Sequence, residues 1–237
     1  MLMLTLSVFV LFPALYWINS ELAWAKKLFV CRDRSRRTSF LVSVCVLHIA
    51  ISFASILWLK AHGWTAAEVG IVFWKLVPAV LALAVAGLLI ASFEPRARSK
   101  SSSDGSKRAG RVTMLIAPVT RRERFSWVAF CLVAGICEEL IYRGIAISLL
   151  RSAGWNVTYA IGLSAISFAT IHGRSILKAG ALAQHLVFGV LLGIVYVWTQ
   201  SLLTVITMHV AWNLLLLLRP VELPAVAQPF ERSDVEC

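Results

Sequence analysis

Three ionisable side chains lie close together inside an otherwise apolar stretch of the chain. The segment CLVAGICEELIYRGIAISLL, residues 131–150, contains Glu138, Glu139 and Arg143. Charged groups at bilayer depth are costly, so they usually face the interior of a helix bundle and serve function. Glu139 and Arg143, four residues apart, share a helix face and can form an ion pair. Since Glu138 points elsewhere on the same helix, the segment predicts one structural carboxylate, Glu139, and one reactive carboxylate, Glu138.

Two later apolar segments carry further polar side chains at helical spacing. Phe168 and His172 are one turn apart in SAISFATIHGRS, and His209 and Asn213 are one turn apart in SLLTVITMHVAWNLLLLL. An imidazole and a carboxamide on one helix face are the kind of hydrogen-bond donors that stabilise an oxyanion. A carboxylate such as Glu138 can take a proton from water and return it later. The residue types therefore predict hydrolysis by an activated water.

The elements that position these residues are predicted to be membrane-spanning helices. Of 237 residues, 59% are hydrophobic and only 15% are charged, whereas soluble domains have about 25% charged residues. Apolar windows of roughly 18 residues or more predict spans. They lie at about 2–20, 40–60, 69–93, 126–150, 157–172, 179–199 and 202–218. The predicted fold class is all-α: a polytopic transmembrane helix bundle of about seven to eight spans with a four-helix catalytic core.

The positive charges predict the orientation of the chain. The net charge is +11, and Lys and Arg concentrate between the first two spans and in the connection 94–125. Because cytoplasmic connections carry the excess of Lys and Arg, we expect a multi-pass protein of the inner (plasma) membrane with its N-terminus outside and its C-terminus in the cytoplasm. These charges can contact anionic lipid, and their position beside the spans argues against a nucleic acid partner. The first span lacks a positive n-region, which favours an uncleaved anchor over a signal peptide.

Four regions are predicted along the chain. They are an N-terminal three-span region at 1–93, a basic cytoplasmic linker at 94–125, a catalytic core at 126–218 and a cytoplasmic tail at 219–237. Five scattered cysteines give neither a disulfide framework nor a Cys-x-x-Cys metal spacing.

Three other polar residues in the spans receive no catalytic role. His48 is expected on the polar side of its helix, and Lys75 is expected to snorkel or to pair with a carboxylate. His185 is expected to form a hydrogen bond between helices.

Zinc is kept as an alternative to a metal-free site. The chain contains no H-E-x-x-H motif and no thiolate cluster. Glu138, His172 and His209 could in principle be three zinc ligands, but they would then be lost as base and oxyanion donors. A site with no metal and no other cofactor is therefore the prediction.

Three motifs resemble those of a known family. EELIYR (138–143), FATIH (168–172) and HVAWN (209–213) match, in order, the E-E-x-x-x-R, F-x-x-x-H and H-x-x-x-N motifs of the CAAX protease and bacteriocin-processing family, also called CPBP or Abi. The resemblance covers about 126–216 and implies an intramembrane endopeptidase of the glutamic type. Its cavity would lie between helices and open toward the cytoplasm.

The resemblance also implies a role for each motif residue. Glu138 and His172 would activate the attacking water, and His209 and Asn213 would stabilise the oxyanion. The supporting residues would be Glu139, Arg143 and Phe168.

The expected substrate is a membrane-associated protein or peptide, processed at a CAAX-like end, a leader or a sorting tail. One alternative is a non-proteolytic membrane scaffold or bacteriocin self-immunity protein of the same fold. A proton-coupled carrier is disfavoured, because the sequence shows neither paired broken helices nor repeat symmetry.

Overall fold

The computed structural model describes residues 2–22, 37–72, 118, 121–173, 177 and 179–214. Its regular elements in these ranges are helical, without a strand. Most of the predicted third span, with Lys75, lies outside the described residues, as do most of the 94–125 linker and the 219–237 tail.

Six helices and one short turn form the described part of the chain. Helix α1 comprises Leu2–Leu6, a π-helical turn Ser7–Leu11 and Phe12–Glu21. Helix α2 is Arg37–Ala61, and a 3₁₀ turn follows at Ala67–Val69. Helix α3 comprises Arg121–Glu139, a π-helical segment Leu140–Ile147 and Ser148–Ser152. Helices α4, α5 and α6 are Val157–Thr170, Ala179–Thr199 and Leu202–Leu214.

The predicted class, an all-α polytopic bundle, is confirmed. Helices α1, α2, α3 and α5 are long and apolar enough to cross a membrane. Helices α4 and α6 are apolar but shorter, with 14 and 13 described residues.

Helix α3 begins earlier than the predicted residue 126. Its first turn contains Glu123, an acidic residue that favours a helix N-terminus. The Glu123 carboxylate lies 3.3 Å from the guanidinium of Arg37 on α2. Glu123 therefore belongs to the helix and connects it to α2.

Helix α3 packs between α2 and α6, and α4 packs along α5. The close approach of α4 and α5 depends on two small residues of α5. A Cβ atom at Gly189 would lie 3.0 Å from the Cβ of Ala165, and one at Gly193 would lie 2.9 Å from Cγ2 of Ile161. Small residues at such positions allow membrane helices to approach closely.

The outer faces of the helices are apolar. Val46 and Phe53 of α2 and Leu191 and Ile194 of α5 are all exposed. Soluble monomers rarely expose large continuous apolar patches, whereas lipid chains solvate such faces. Glu138, Glu139 and Arg143 of α3 are instead buried between helices, as expected for a bundle inside a bilayer.

The centre of α3 departs from α-helical geometry directly after Glu139. All eight residues of the π-helical segment Leu140–Ile147 are buried. Within it, Gly144 permits contact with the 3₁₀ turn, since a Cβ there would lie 2.9 Å from the Val69 carbonyl oxygen. Short π-helical segments occur frequently at functional sites.

Candidate active site

The two adjacent glutamates of α3 both lie inside the bundle. Glu138 is 6% exposed and Glu139 is fully buried. An ionised carboxylate in such a place costs several kcal/mol unless it is paired and hydrogen-bonded. Each of the two carboxylates is compensated by different partners.

Glu139 is held by its own helix and by α6. Arg143 Nη1 donates to Glu139 Oε1 at 2.9 Å, and His209 Nδ1 donates to the same oxygen at 2.6 Å. Arg143 Nη2 also donates to the carbonyl of Gly189 on α5 at 3.2 Å. Its guanidinium carbon lies 4.4 Å from the centre of the Phe168 ring. The predicted ion pair between Glu139 and Arg143 is therefore confirmed, and it connects α3 to α4, α5 and α6.

Glu138 is held by α2. The Nε2 atom of His48 lies 2.8 Å from Glu138 Oε1. The other carboxylate oxygen, Oε2, is buried and has no hydrogen-bond partner among the described residues. It faces Nε2 of His209 at 3.9 Å, which is longer than a hydrogen bond. One oxygen of Glu138 is thus fixed, and the other faces an imidazole across a gap.

His209 lies between the two glutamates, and this position determines where its protons are. Its Nδ1 atom must carry hydrogen, because the ionised Glu139 carboxylate can only accept. The neutral ring then has an unprotonated Nε2 facing Glu138. A role as oxyanion donor through Nε2 therefore requires the doubly protonated ring. Asn213 follows one turn later on α6 with a half-buried side chain.

His172 and Phe168 lie at the end of α4. His172 Nδ1 donates to the Phe168 carbonyl at 3.0 Å. The Phe168 ring lies edge-on to both imidazoles, with its centroid 5.0 Å from that of His172 and 5.9 Å from that of His209. The three residues from the second and third motifs are therefore packed together.

His185 contacts this group from α5. Its ring centroid lies 3.9 Å from that of His172. Its Nδ1 atom donates to the Ala181 carbonyl in its own helix at 2.6 Å. The contact of His185 with His172 is therefore between rings, rather than the hydrogen bond between helices that the sequence predicts.

The structure brings most of the predicted residues into one place. His48, His209 and His172 all lie within electrostatic range of Glu138. The predicted residues that contact one another here are Glu138, Glu139, Arg143, Phe168, His172 and His209. Asn213 lies one turn beyond His209, and its backbone carbonyl accepts from Nε1 of Trp127 at 3.4 Å.

The zinc alternative requires three side chains to converge. Within the described ranges, no group of three or more His, Cys, Asp or Glu side chains is arranged to hold a metal ion. Each carboxylate of the site is instead paired with nitrogen atoms of histidine or arginine side chains. Independence from metal stays a prediction to be measured.

One residue of the site receives no role from the sequence. His48 shares the buried side of α2 with Ser52 and Ser55, is 2% exposed and contacts Glu138. An ionisable residue in the middle of an apolar helix was the available signal, but nothing in the sequence connects position 48 to position 138. Tyr142 and Phe188 also surround Phe168, and as aromatic residues in apolar segments they carry no such signal.

Comparison with known proteins agrees with the motifs. Residues 120–215 match the family model described as Type II CAAX prenyl endopeptidase Rce1-like. The similarity to the CAAX protease and bacteriocin-processing family is thereby confirmed for this segment, which covers less than half of the chain. At the level of the family, this similarity supports a CAAX-type intramembrane protease. Neither a curated protein nor a solved structure matches the chain.

Proposed function

We propose that this protein is an intramembrane endopeptidase that hydrolyses a peptide bond of a membrane-associated protein or peptide. The observation that carries the proposal is the arrangement of Glu138. One of its oxygens is fixed by His48, and the other faces His209 inside an apolar bundle. A buried carboxylate with one oriented oxygen is suited to accept a proton from water.

The reaction begins when Glu138 Oε2 takes a proton from a water molecule. The resulting hydroxide attacks the carbonyl carbon of the scissile bond, and negative charge moves to the carbonyl oxygen. Doubly protonated His209, through Nε2, and the Asn213 amide donate hydrogen bonds to that oxygen. When the carbon–nitrogen bond breaks, the proton that Glu138 took from water passes to the leaving amine, either directly or through Nε2 of His172, so atoms and charge balance.

Glu139 and Arg143 support the site without touching the substrate. The Glu139 carboxylate accepts from His209 Nδ1 at 2.6 Å and from Arg143. This contact keeps a proton on Nδ1 and turns Nε2 toward Glu138. The pair therefore orients His209 and prepares it to stabilise an oxyanion.

The substrate is expected to reach the site from the membrane. The family match supports a CAAX-like end as the processed group, and a leader or sorting tail is the other class we consider. We place the N-terminus outside and the C-terminus in the cytoplasm, because the Lys- and Arg-rich connections fit the positive-inside pattern.

The test is cleavage by the purified protein in liposomes. The substrates are a prenylated CAAX peptide, the same peptide without its prenyl group and a membrane-spanning leader-type peptide, with products identified by mass. We expect the wild type to cleave at least one of them and Glu138→Gln to cleave none. The matched control is Glu68→Gln, which changes an exposed glutamate on the connecting turn and should cleave like the wild type.

Two results would overturn the proposal. One is that the wild type cleaves none of the three peptides. The other is that Glu138→Gln cleaves as fast as the wild type. If Glu138→Gln also complements a deletion strain fully, the protein acts instead as a scaffold or self-immunity protein.

A further inference from the structure

His48 lies in the first half of the chain, outside the segment 120–215 that matches the family. It is a buried residue in the middle of α2, and its ring lies edge-on to Tyr16 of α1, with centroids 4.9 Å apart. Both of its ring nitrogens are engaged. Nδ1 lies 2.8 Å from the Val44 carbonyl, and Nε2 lies 2.8 Å from Glu138 Oε1.

These two contacts determine how many protons the pair holds. A backbone carbonyl can only accept, so the hydrogen between His48 and Val44 belongs to Nδ1. Neutral His48 then has a lone pair at Nε2, and an ionised Glu138 also offers only lone pairs. Two acceptors facing each other at 2.8 Å repel, so one further proton must lie between Nε2 and Oε1.

The charges of the cluster agree with this count. Glu138 and Glu139 contribute two negative charges when ionised, and Arg143 contributes one positive charge directly to Glu139. An ionised Glu138 also needs a cation beside it, because an uncompensated buried carboxylate is very costly. Nε2 of His209 lies 3.9 Å from Oε2, beyond hydrogen-bond distance, whereas Nε2 of His48 lies 2.8 Å from Oε1. Since the proposed reaction requires an ionised Glu138, the further proton belongs to His48.

We propose that His48 is a positioning residue of the reaction: as an imidazolium it keeps Glu138 ionised and turns Oε2 toward the reacting water. This inference rests on the proposed function, because it assigns a partner to the same general base. His48 retains its proton throughout the cycle. The proton taken from water arrives on Oε2 and leaves from Oε2, so none passes through His48.

Several other titratable groups face this pair and belong to any account of its pH dependence. They are Tyr16 on α1, Cys137, Tyr142 and Arg143 on α3, His172 after α4, and His209 on α6. Of the groups that can carry positive charge, Arg143 and His209 are both bound to Glu139.

The test compares His48→Gln with the wild type over a range of pH. Glutamine can still donate to Glu138 but carries no charge, so Glu138 should stay protonated up to a higher pH. We expect the acid limb of the kcat/KM profile to move to higher pH by at least about one unit. At pH values below that limb, kcat/KM of the variant should therefore be lower than that of the wild type by about tenfold or more. Activity should recover at higher pH, and KM should change little. A purely structural role would lower activity equally at all pH values.

The matched control is His62→Gln. His62 Nδ1 also bonds to the carbonyl four residues earlier, that of Trp58, but His62 is exposed and lies outside the site. Its pH profile should coincide with that of the wild type. If the wild type cleaves, Glu138→Gln is inactive and His48→Gln keeps the wild-type profile, then only the role of His48 is overturned. If the wild type does not cleave, or Glu138→Gln cleaves normally, the proposed function itself fails.

A second measurement decides the matter if His48→Gln does not fold. Nitrogen-15 NMR of labelled histidines counts the rings with both nitrogens protonated in the wild type and in Glu138→Gln. The amide of the new glutamine can donate to a neutral His48, so the variant should have one doubly protonated ring fewer. An unchanged count would overturn the proposal.

Discussion

Removing only one member of the buried ion pair between Glu139 and Arg143 should destabilise the fold more than removing both. Arg143→Leu leaves the Glu139 carboxylate inside the bundle with His209 as its remaining described partner. The same substitution removes the hydrogen bond to the Gly189 carbonyl and the contact with the Phe168 ring. The substitution therefore leaves the Glu139 carboxylate without its arginine partner and also removes two contacts with neighbouring helices.

The magnitude follows from these contacts. Removing one partner of a buried pair costs about 3–5 kcal/mol, because the other charge stays uncompensated. The lost hydrogen bond to Gly189 is worth about 1 kcal/mol and is included in that range. The double variant Glu139→Gln/Arg143→Leu contains neither charge. It should therefore be more stable than Arg143→Leu alone by about 2 kcal/mol or more.

The assay is reversible unfolding of the purified variants in mixed micelles, with the free energy of unfolding as readout. Arg151→Leu is the control, because Arg151 is an exposed arginine at the end of the same helix. It should change the free energy of unfolding by less than about 0.5 kcal/mol. The reasoning is refuted if Arg143→Leu lowers the free energy of unfolding no more than Arg151→Leu does. It is also refuted if the loss in the double variant equals the sum of the losses in Glu139→Gln and Arg143→Leu.

Three further predictions concern packing, pH and metal. Gly144→Ala should lower the unfolding free energy by about 1–3 kcal/mol, because its Cβ would meet the Val69 carbonyl; Gly162→Ala, with open space around it, should not. The pKa of the Glu68 carboxyl lies below its ordinary value, because the backbone N–H and hydroxyl of Thr65 donate to it. Its stabilising effect is thus present above the unfolded pKa and lost as the pH falls through the folded pKa, so the melting temperatures of wild type and Glu68→Gln should converge in acid. A chelator should leave the cleavage rate unchanged, and loss of activity restored by zinc would contradict the metal-free site.

Most of the described fold could be predicted from the sequence because its elements are long and apolar. Five of the seven predicted spans begin within about four residues of the first residue of a described helix. The exception among the described spans is α3, which starts at Arg121 and includes Glu123, whose carboxylate pairs with Arg37 of α2. The π-helical segment Leu140–Ile147 could not be predicted, since its residues are equally compatible with a continuous α-helix.

The candidate site could be predicted as far as its parts lie on one helix or within one motif. The pairing of Glu139 with Arg143 follows from their spacing. The contact of His209 with Glu139 and that of His48 with Glu138 join residues 70 and 90 positions apart. Such contacts depend on how the helices pack, which a single sequence does not determine. The sequence therefore indicated the buried ionisable groups but not which imidazole contacts which carboxylate.

The most direct measurement of the central claim is the turnover number of purified Glu138→Gln on a peptide that the wild type cleaves. The substitution keeps the size of the side chain and removes its ability to take a proton. General base catalysis is typically worth about 10²–10⁴-fold, so we predict a fall in kcat of at least about 100-fold in a variant that unfolds at the same temperature as the wild type. A kcat equal to that of the wild type would contradict the role of Glu138 in activating water.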